Sequence, residues 1–194
     1  MGRHAKISRQ TIADSAVRLV VHEGAPKATI KAISAGISVN EAALYRHYKS
    51  KEEILASAYV GIVEEMAREK QHLAKAGLPF RELVHEWIRL TYRYFDTNPD
   101  AFAYVFLLPP PSSVVASGIT RVQGALFLSL IKRALKSQEI HSIPAKLGYS
   151  HFAGIMLNIP RSIREGVLPG PAGRYVDAAV QAVLRVWGVD SNSE

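Results

Sequence analysis

The stretch that most constrains this chain covers residues 29–53, with the sequence TIKAISAGISVNEAALYRHYKSKEE. Ile30, Ile33 and Ile37 recur at helical spacing, and Asn40 then offers a side-chain oxygen that can cap a second helix. Two helices this short are not stable alone, because helix nucleation is costly and each helix buries little surface. The pattern therefore predicts two short helices packed against other helices, and a helix-turn-helix that reads DNA is the compact solution.

The positive charge of the chain is concentrated around this stretch. The 194 residues carry a formal net charge of +7, and the first 55 contain nine Lys or Arg against five Asp or Glu, a net charge of +4. Such a field favours DNA as a partner, with a solvated surface as the alternative. Residues 1–8 form a short basic arm with Arg3, His4 and Lys6, either a disordered tail or a segment that reaches a groove.

Several classes of protein are disfavoured by the sequence. The chain has no cysteine, which excludes disulfides, thiolate metal sites and cysteine nucleophiles. No apolar run approaches the roughly 20 residues that cross a bilayer, so we expect a cytoplasmic protein with no membrane partner. His85-Glu86 is followed by Arg89 where a zinc-protease motif needs histidine, and no phosphate loop or nucleophile elbow occurs. We therefore expect no enzyme activity, no cofactor and no metal.

Helical periodicity extends along the whole chain. A first helix is predicted from Ser8 to Gly24, and the Ser-x-x-Glu capping box of Ser50 and Glu53 predicts a fourth helix of about 25 residues. Further helices are predicted over residues 80–97, 101–108, 113–137, 145–165 and 172–187. The predicted fold class is all-α, with a three-helix homeodomain-like helix-turn-helix domain over residues 1–50. A helical bundle with a dimerising helix pair follows over residues 51–194.

The last two predicted helices are apolar on more than one face. One face can pack on the same subunit and the other on a twin subunit across a two-fold axis, which gives a four-helix contact. A helix pair buried wholly within a monomer is the alternative. Pro160 is expected to kink or shorten its helix. The residues predicted to form the homodimer interface are Phe152, Met156, Ile159, Val176, Ala179, Val183 and Trp187.

A recognition helix must present side chains to the major groove while flanking groups contact phosphates. The small side chains of Ala42 and Ala43 allow close approach to the bases, and the fork of Arg46 matches the guanine edge. Lys51 begins a helix, where phosphate is a natural partner. Tyr45 contacts a phosphate or is half-buried in the core. The residues predicted to contact DNA are Thr29, Lys31, Asn40, Glu41, Ala42, Ala43, Tyr45, Arg46, His47, Lys49 and Lys51.

The runs Ile33-Ser34, Val39-Asn40-Glu41-Ala42-Ala43-Leu44-Tyr45-Arg46-His47-Tyr48 and Ser50-Lys51-Glu52-Glu53-Ile54-Leu55 resemble the DNA-binding domain of the tetracycline-repressor (TetR) family. The resemblance covers residues 8–57 without a gap and follows the pattern I-A-x-x-A-G-V-S-x-x-x-L-Y-x-H-F-x-S-K-E-x-L. In this register Ser38 stands where the family usually has glycine. The turn should therefore centre on Ser38 as a strained residue, with Gly36 inside the second helix.

The resemblance implies a homodimeric transcription regulator, usually a repressor of a palindromic double-stranded DNA operator that a small molecule releases. The apolar body favours an apolar effector. The alternative is a helical protein that binds lipids or other hydrophobes, or an enzyme, without a role on DNA. The residues predicted to line the effector site, with plain core packing as the alternative for each, are Tyr59, Met66, Trp87, Thr91, Tyr94, Phe102, Phe106 and Phe127.

Overall fold

The structure is a computed structural model that describes residues 7–117, 122–140 and 143–189. These residues form ten α-helices, one short 3-10 helix and no strand, which confirms the all-α prediction. In chain order the helices are α1 (Arg9–Glu23), α2 (Ile30–Gly36), α3 (Glu41–Tyr45), α4 (Lys51–Lys75), α5 (Phe80–Thr97), α6 (Pro99–Phe106), α7 (Ser112–Ser117), α8 (Val122–Lys136), α9 (Ala145–Arg164), the 3-10 helix (Ala172–Tyr175) and α10 (Val176–Val186). Residues 1–6 of the predicted basic arm, which include Arg3, His4 and Lys6, lie outside the described residues.

The chain divides into two compact units. Unit 1 takes in the described residues of Met1–Val63 and Asp100–Thr120, and unit 2 takes in those of Glu64–Pro99 and Arg121–Glu194. The division falls within α4, which therefore contributes residues to both units. Compact units are not the same as independently folding domains, so the domain boundary after residue 50 stays a prediction.

The core of unit 1 joins its short helices. Ile12 of α1, Ile33 of α2, Leu44 of α3 and Ile54 of α4 have no exposed surface. Each comes from the apolar face that the sequence periodicity predicts. Burial of these side chains against one another stabilises helices that would not form in isolation.

Two tyrosines connect α4 and α6 within unit 1. The Tyr104 hydroxyl donates to the Leu55 carbonyl oxygen at 3.0 Å, and the Tyr59 hydroxyl donates to the Val105 carbonyl oxygen at 3.3 Å. The two rings meet edge to face with centroids 5.9 Å apart. Burial raises the pKa of both hydroxyls, so both stay protonated donors at neutral pH.

The helix ends of unit 1 follow local capping chemistry. The Ser8 hydroxyl accepts a hydrogen bond from the Thr11 backbone N–H at 3.0 Å, and α1 ends before Gly24, whose φ is 89°. At α4 the Ser50 hydroxyl accepts from the Glu53 N–H at 3.2 Å, as the capping box predicts. The return bond differs by one residue, because the Glu53 carboxylate accepts from the N–H of Lys49 at 2.6 Å.

Unit 2 is centred on five rings, called here the aromatic cluster. They belong to Phe80, Trp87, Phe127, Phe152 and Trp187. Phe127 and Phe152 stack with centroids 3.8 Å apart, and Phe127 meets Trp87 at 4.7 Å. Trp187 lies 5.0 Å from Phe80. The cluster joins α5, α8, α9 and the end of α10 through dispersion and quadrupole contacts.

The later helices differ from their predicted bounds. The helix predicted over residues 113–137 is seen as α7 and α8, with residues 118–121 outside the described part. Helix α9 continues through Pro160 to Arg164, so the proline does not shorten it; a proline removes only one backbone donor of the ladder. The final helix is preceded by a 3-10 turn, whose first two N–H groups, of Ala172 and Gly173, donate to the Asp96 carboxylate at 2.7 Å and 2.9 Å.

The packing of α9 and α10 buries most of the residues predicted for the subunit interface within their own chain. Helix α10 packs against α5 and α9 of its own chain. Six of the seven residues predicted to face a twin subunit are buried within the chain, while Ile159 is half-buried. These six core residues are Phe152, Met156, Val176, Ala179, Val183 and Trp187. Because their own unit covers them, a partner would meet other faces of the two helices.

Candidate nucleic-acid interface

The turn between α2 and α3 has the geometry that the sequence predicts. Ser38 has a φ of 56°, in the left-handed region that serine rarely adopts. The Ser38 N–H donates to the Ala35 carbonyl oxygen at 3.1 Å, and the Val39 N–H donates to the Ser34 carbonyl oxygen at 3.0 Å. These bonds close the end of α2 around the left-handed residue. The prediction of Ser38 as the strained residue is confirmed.

Gly36 lies inside α2, also as predicted, and allows α1 and α2 to approach closely. A Cβ at this position would stand 2.8 Å from the Ser15 hydroxyl oxygen. That hydroxyl is buried and donates to the Ile33 carbonyl oxygen at 3.2 Å. The glycine therefore preserves both the close approach and a buried hydrogen bond.

Helix α3 is a single turn with one buried and one exposed face. The Asn40 side-chain oxygen accepts from the Ala43 N–H at 2.9 Å and caps the helix, as predicted. Ala43 is 3% exposed and Leu44 has no exposed surface. The opposite face presents Glu41, Ala42, Tyr45 and Arg46, the last of which ends the helix.

Ten of the eleven residues predicted to contact DNA have exposed or half-buried side chains, and Ala43 does not. The short helix turns the methyl group of Ala43 into the core of unit 1, and its contact with DNA stays a prediction. Tyr45 is 56% exposed, which rules out the core-packing alternative for its side chain. The exposed residues are Thr29, Lys31, Asn40, Glu41, Ala42, Tyr45, Arg46 and Lys49, and the half-buried ones are His47 and Lys51.

Two of the predicted residues also hold the local structure. The Thr29 hydroxyl accepts from the Ala32 N–H at 3.1 Å and caps α2. The Lys51 ammonium donates to the Ala25 carbonyl oxygen at 2.9 Å, so it is held against the segment that joins α1 to α2. The positive charge of Lys51 is thereby positioned rather than freely mobile. Its contact with a phosphate stays a prediction.

Arg9 makes contacts that the sequence did not predict. Its guanidinium donates to the His47 carbonyl oxygen at 2.9 Å and lies over the Tyr48 ring, with 4.9 Å from Cζ to the ring centroid. The Tyr48 hydroxyl donates back to the Arg9 carbonyl oxygen at 3.4 Å. Arg9 thus fixes the chain just after α3 to the first turn of α1. No spacing rule predicts a contact between residues this far apart in sequence.

The residues predicted to line an effector site belong to both units. In unit 1, Tyr59 and Phe102 are buried, and Phe102 lies 4.9 Å from the half-buried Phe106 between ring centroids. In unit 2, the Trp87 and Phe127 rings are in contact and Met66 is buried.

Two further predicted residues of unit 2 have polar groups with partners in the chain. The Thr91 hydroxyl donates to the Trp87 carbonyl oxygen at 2.7 Å, and the Tyr94 hydroxyl donates to the Glu65 carboxylate at 3.0 Å. Thr91 has no exposed surface, whereas Tyr94 is half-buried. Their role in binding an effector stays a prediction.

Unit 2 contains a buried lysine that the sequence-based prediction did not include. Lys70 of α4 is only 2% exposed, and its ammonium nitrogen lies 5.1 Å from the Trp87 ring centroid. Burial lowers the pKa of Lys70 to about 7, an effect that the neighbouring Glu69 carboxylate partly opposes. The sequence does contain a signal for it, because Lys70 follows Met66 by four residues on the apolar face of α4.

Two further buried donors lie in unit 2. The Tyr92 hydroxyl and the Trp187 indole nitrogen have no hydrogen-bond partner within the described part of the chain. Burial raises the pKa of Tyr92, so its hydroxyl is protonated at neutral pH. A buried donor without an acceptor costs free energy, so such groups are informative about what a site can bind.

Across residues 7–117, 122–140 and 143–189, no three His, Asp or Glu side chains are grouped so that they could hold a metal ion. Over the same ranges, no helix combines the length and the apolar character that crossing a membrane requires.

Helices α1, α2 and α3 form a three-helix head, in which α2, the turn at Ser38 and α3 make a helix-turn-helix with one face of α3 exposed. Residues 12–58 match the sequence profile described as bacterial regulatory proteins, tetR family. The match assigns residues 12–58 to the N-terminal domain type of that family. No curated protein sequence matches the chain.

Solved structures extend the likeness to the whole fold. FadR from Bacillus subtilis, solved in complex with stearoyl-CoA, has a TM-score of 0.80 at 14% identity, covering 96% of this chain and 100% of its own. The TetR-family regulator PfmR from Thermus thermophilus has a TM-score of 0.75 at 18% identity, covering 90% and 97%. A TetR-like regulator from a Rhodococcus species has a TM-score of 0.76 at 16% identity, covering 98% and 100%. At these identities the likeness concerns the fold.

Proposed function

We propose that the protein is a homodimeric repressor that binds a palindromic DNA operator and is released from it by a small apolar effector in the helical body. The observation that carries the proposal is the division of α3 into two faces. Ala43 and Leu44 anchor the helix in the core, while Ala42, Tyr45 and Arg46 are presented outward. Side chains held in this way on a rigid turn can contact base edges in the major groove.

Each exposed residue has a role that follows from its chemistry. Arg46 would donate two hydrogen bonds to a guanine edge, and the methyl of Ala42 would contact a thymine methyl. Lys31, Lys49 and the positioned Lys51 would contact phosphates, which fixes the register without reading sequence. Glu41 at the start of α3 can accept from a cytosine amine. The remaining proposed DNA contacts are Thr29, Asn40, Tyr45 and His47.

The dimer interface is proposed on the exposed sides of α9 and α10. Leu147 is 47% exposed and Val186 is 44% exposed, so both offer apolar surface to a partner. Gly154 and Ala178 are also exposed, and their small size permits close approach of two helix pairs. Half-buried Ile159 stays in this proposed interface. A two-fold dimer matches the symmetry of a palindromic operator.

Release by the effector is proposed as a population shift. A dimer binds DNA well only when its two recognition helices are about 34 Å apart, so that they enter successive major grooves. An effector that prefers another spacing lowers the population that can bind. The aromatic cluster supports an apolar effector, and a fatty acid derivative is the chemistry found in the Bacillus subtilis FadR complex.

The experiment that tests the proposal selects DNA from a random pool with the purified full-length protein. An enriched palindrome should give a mobility shift that weakens steeply as salt rises. Failure to enrich any sequence, with an intact dimer in solution, would contradict the DNA-binding role. It would favour the alternative, a helical protein that binds hydrophobes without a role on DNA, which the aromatic cluster also supports.

A further inference from the structure

We infer that Arg9 of α1 is a positioning residue for DNA recognition, which holds the end of α3 in place so that Arg46 can reach a base edge. The inference rests on the proposed function, in which α3 enters the major groove. It goes further because it makes the specificity of binding depend on a residue outside the helix-turn-helix. All the contacts that support it lie within unit 1.

Helix α3 is too short to hold its own conformation. It runs for five residues, from Glu41 to Tyr45, whereas isolated helices shorter than roughly 12–15 residues are only marginally stable in water. The Asn40 side chain fixes its beginning, because its oxygen accepts from the Ala43 N–H at 2.9 Å. Leu44, which has no exposed surface, anchors its inner face. The end of the helix therefore depends on a contact from elsewhere in unit 1.

Arg9 supplies a contact at that end. Arg46 caps α3, and the carbonyl oxygen of the next residue, His47, accepts a hydrogen bond from the Arg9 guanidinium at 2.9 Å. Carbonyl groups at the end of a helix lack partners within the helix and carry partial negative charge, so a guanidinium is a suitable donor to them. The bond holds the backbone one residue beyond Arg46.

The Tyr48 ring keeps the guanidinium in this place. Tyr48 is buried, and its ring centroid lies 4.9 Å from the Arg9 Cζ atom. Its hydroxyl donates to the Arg9 carbonyl oxygen at 3.4 Å, so the backbone of Arg9 is held as well as its side chain. The N–H groups of His47 and Tyr48 also donate to the Leu44 carbonyl oxygen, at 2.9 Å and 3.0 Å. These linked contacts restrict the motion of the end of α3.

Restricted motion at this end of α3 matters more for reading bases than for contacting phosphates. A bidentate hydrogen bond from Arg46 to a guanine edge requires both donors of its fork to meet fixed acceptors in the groove. The attraction of lysines to phosphates depends mainly on charge and tolerates small displacements. A less firmly held helix end should therefore lower the affinity for the operator and leave the affinity for unrelated DNA almost unchanged.

The first test measures this ratio of affinities. The full-length protein and Arg9→Lys are titrated, over a salt series, with the palindrome enriched from the random pool and with a scrambled duplex of the same length. Arg9→Lys should bind the palindrome about tenfold more weakly and the scrambled duplex equally well. A variant that is merely less stable would lose both affinities by the same factor, because both depend on the fraction of folded protein. Arg18→Lys is the matched control, since Arg18 is exposed on the same helix, and it should keep the ratio.

A double-mutant cycle tests whether Arg9 acts through Arg46. Arg46→Ala removes the side chain that Arg9 is inferred to position. In the Arg46→Ala background, Arg9→Lys should therefore weaken binding to the palindrome by less than about twofold, instead of about tenfold. Two residues that contribute independently would give the same loss in both backgrounds.

A further measurement needs no DNA. NMR relaxation of the folded protein gives order parameters for the N–H groups of His47 and Tyr48, which report motion on the picosecond to nanosecond timescale. In Arg9→Lys both should fall from the rigid range near ~0.85 toward ~0.6. In Arg18→Lys both should stay in the rigid range.

Three results would overturn the inference: Arg9→Lys keeps the ratio of affinities, it loses as much affinity in the Arg46→Ala background as in the unmodified protein, or its order parameters do not change. Any of these, with a palindrome enriched from the pool, would reject the positioning role and leave the DNA-binding role in place. Lower order parameters in Arg9→Lys, with no DNA sequence enriched, would reject the repressor and leave the contact of Arg9 with the end of α3 in place.

Discussion

The Arg9 guanidinium lies over the Tyr48 ring, 4.9 Å from Cζ to the ring centroid, and so joins the first turn of α1 to the chain that follows α3. The same guanidinium donates to the His47 carbonyl oxygen at 2.9 Å. One side chain therefore makes a cation–π contact and a hydrogen bond at the end of the proposed recognition helix. A lysine would keep the charge but lose the planar fork that makes both contacts possible.

We expect Arg9→Lys to lower the free energy of unfolding by about 1 kcal/mol, the magnitude of one cation–π contact or one hydrogen bond. Urea unfolding followed by circular dichroism measures it. Arg18→Lys is the matched control, because Arg18 is exposed on the same helix, and it should change stability by much less. Equal losses in the two variants would mean that the Tyr48 contact is not stabilising.

Ser38→Gly should stabilise the protein. The left-handed φ of 56° is unfavourable for serine and natural for glycine, which gives a gain of about 0.5–1 kcal/mol after the larger entropy of unfolded glycine is counted. Ser38→Val should destabilise, since a β-branched side chain is least tolerant of this backbone. Thermal unfolding of the three proteins should rank them Gly, Ser, Val, and the reverse order would show that the turn is not under strain.

Arg46→Ala and Lys49→Ala should change DNA binding in different ways. Loss of the Arg46 fork should cost about 1–3 kcal/mol of operator affinity and relax specificity at one base pair. Loss of the Lys49 charge should weaken binding to all DNA sequences about equally. The slope of log affinity against log salt concentration should fall in magnitude by about one, which corresponds to one lost phosphate contact. Competition assays with single-base operator variants across a salt series measure both. If Arg46→Ala weakens every sequence equally, Arg46 contacts a phosphate instead.

The stability of the protein should depend on the protonation of Lys70. In the unfolded chain Lys70 keeps its ordinary pKa of 10.5, so between pH 7 and 10.5 the unfolded state binds more protons than the folded state. Stability therefore rises with pH in this window, and the penalty of the buried charge is complete below pH 7. The free energy of unfolding of the unmodified protein, measured relative to that of Lys70→Met, should rise by about 1.4 kcal/mol per pH unit near pH 8.5.

Urea unfolding at intervals between pH 7.5 and 9.5 measures this slope. The range ends below the ionisation of tyrosine, and the raised pKa of buried Tyr92 would lower stability only at higher pH. Lys75→Met serves as the control, and its free energy of unfolding should depend on pH in the same way as that of the unmodified protein. Parallel curves for Lys70→Met and the unmodified protein would mean that the buried amine does not change its protonation on folding.

Val186→Glu should weaken the proposed dimer, because the charge would have to be buried against the partner subunit. Light scattering coupled to size-exclusion chromatography should report a shift toward monomer, with a parallel loss of operator affinity. Val115→Glu is the control, since Val115 of α7 is 53% exposed and lies in unit 1, outside the proposed interface. A dimer that persists in Val186→Glu would place the interface elsewhere.

Much of the head was predictable because its signals are local. Thr29, Asn40 and Ser50 cap the helices that follow them, and each cap is a hydrogen bond to the backbone three residues on. The register of the turn was also predictable, because the resemblance to the TetR pattern places Ser38 where that pattern has glycine, and Ser38 has a left-handed φ of 56°. The inward direction of Ala43 was not, because a single helical turn is too short for its periodicity to be read.

The sequence by itself determined the class of fold, the ends of α1, α4 and α5, and the strained turn at Ser38, because backbone hydrogen bonds and caps act over a few neighbouring residues. Only the tertiary structure decided which faces of α9 and α10 are covered, and that Lys70 lies over Trp87. An apolar face predicts that a helix is buried, but it does not predict which surface covers that face. That choice depends on how helices distant in sequence fill the same space.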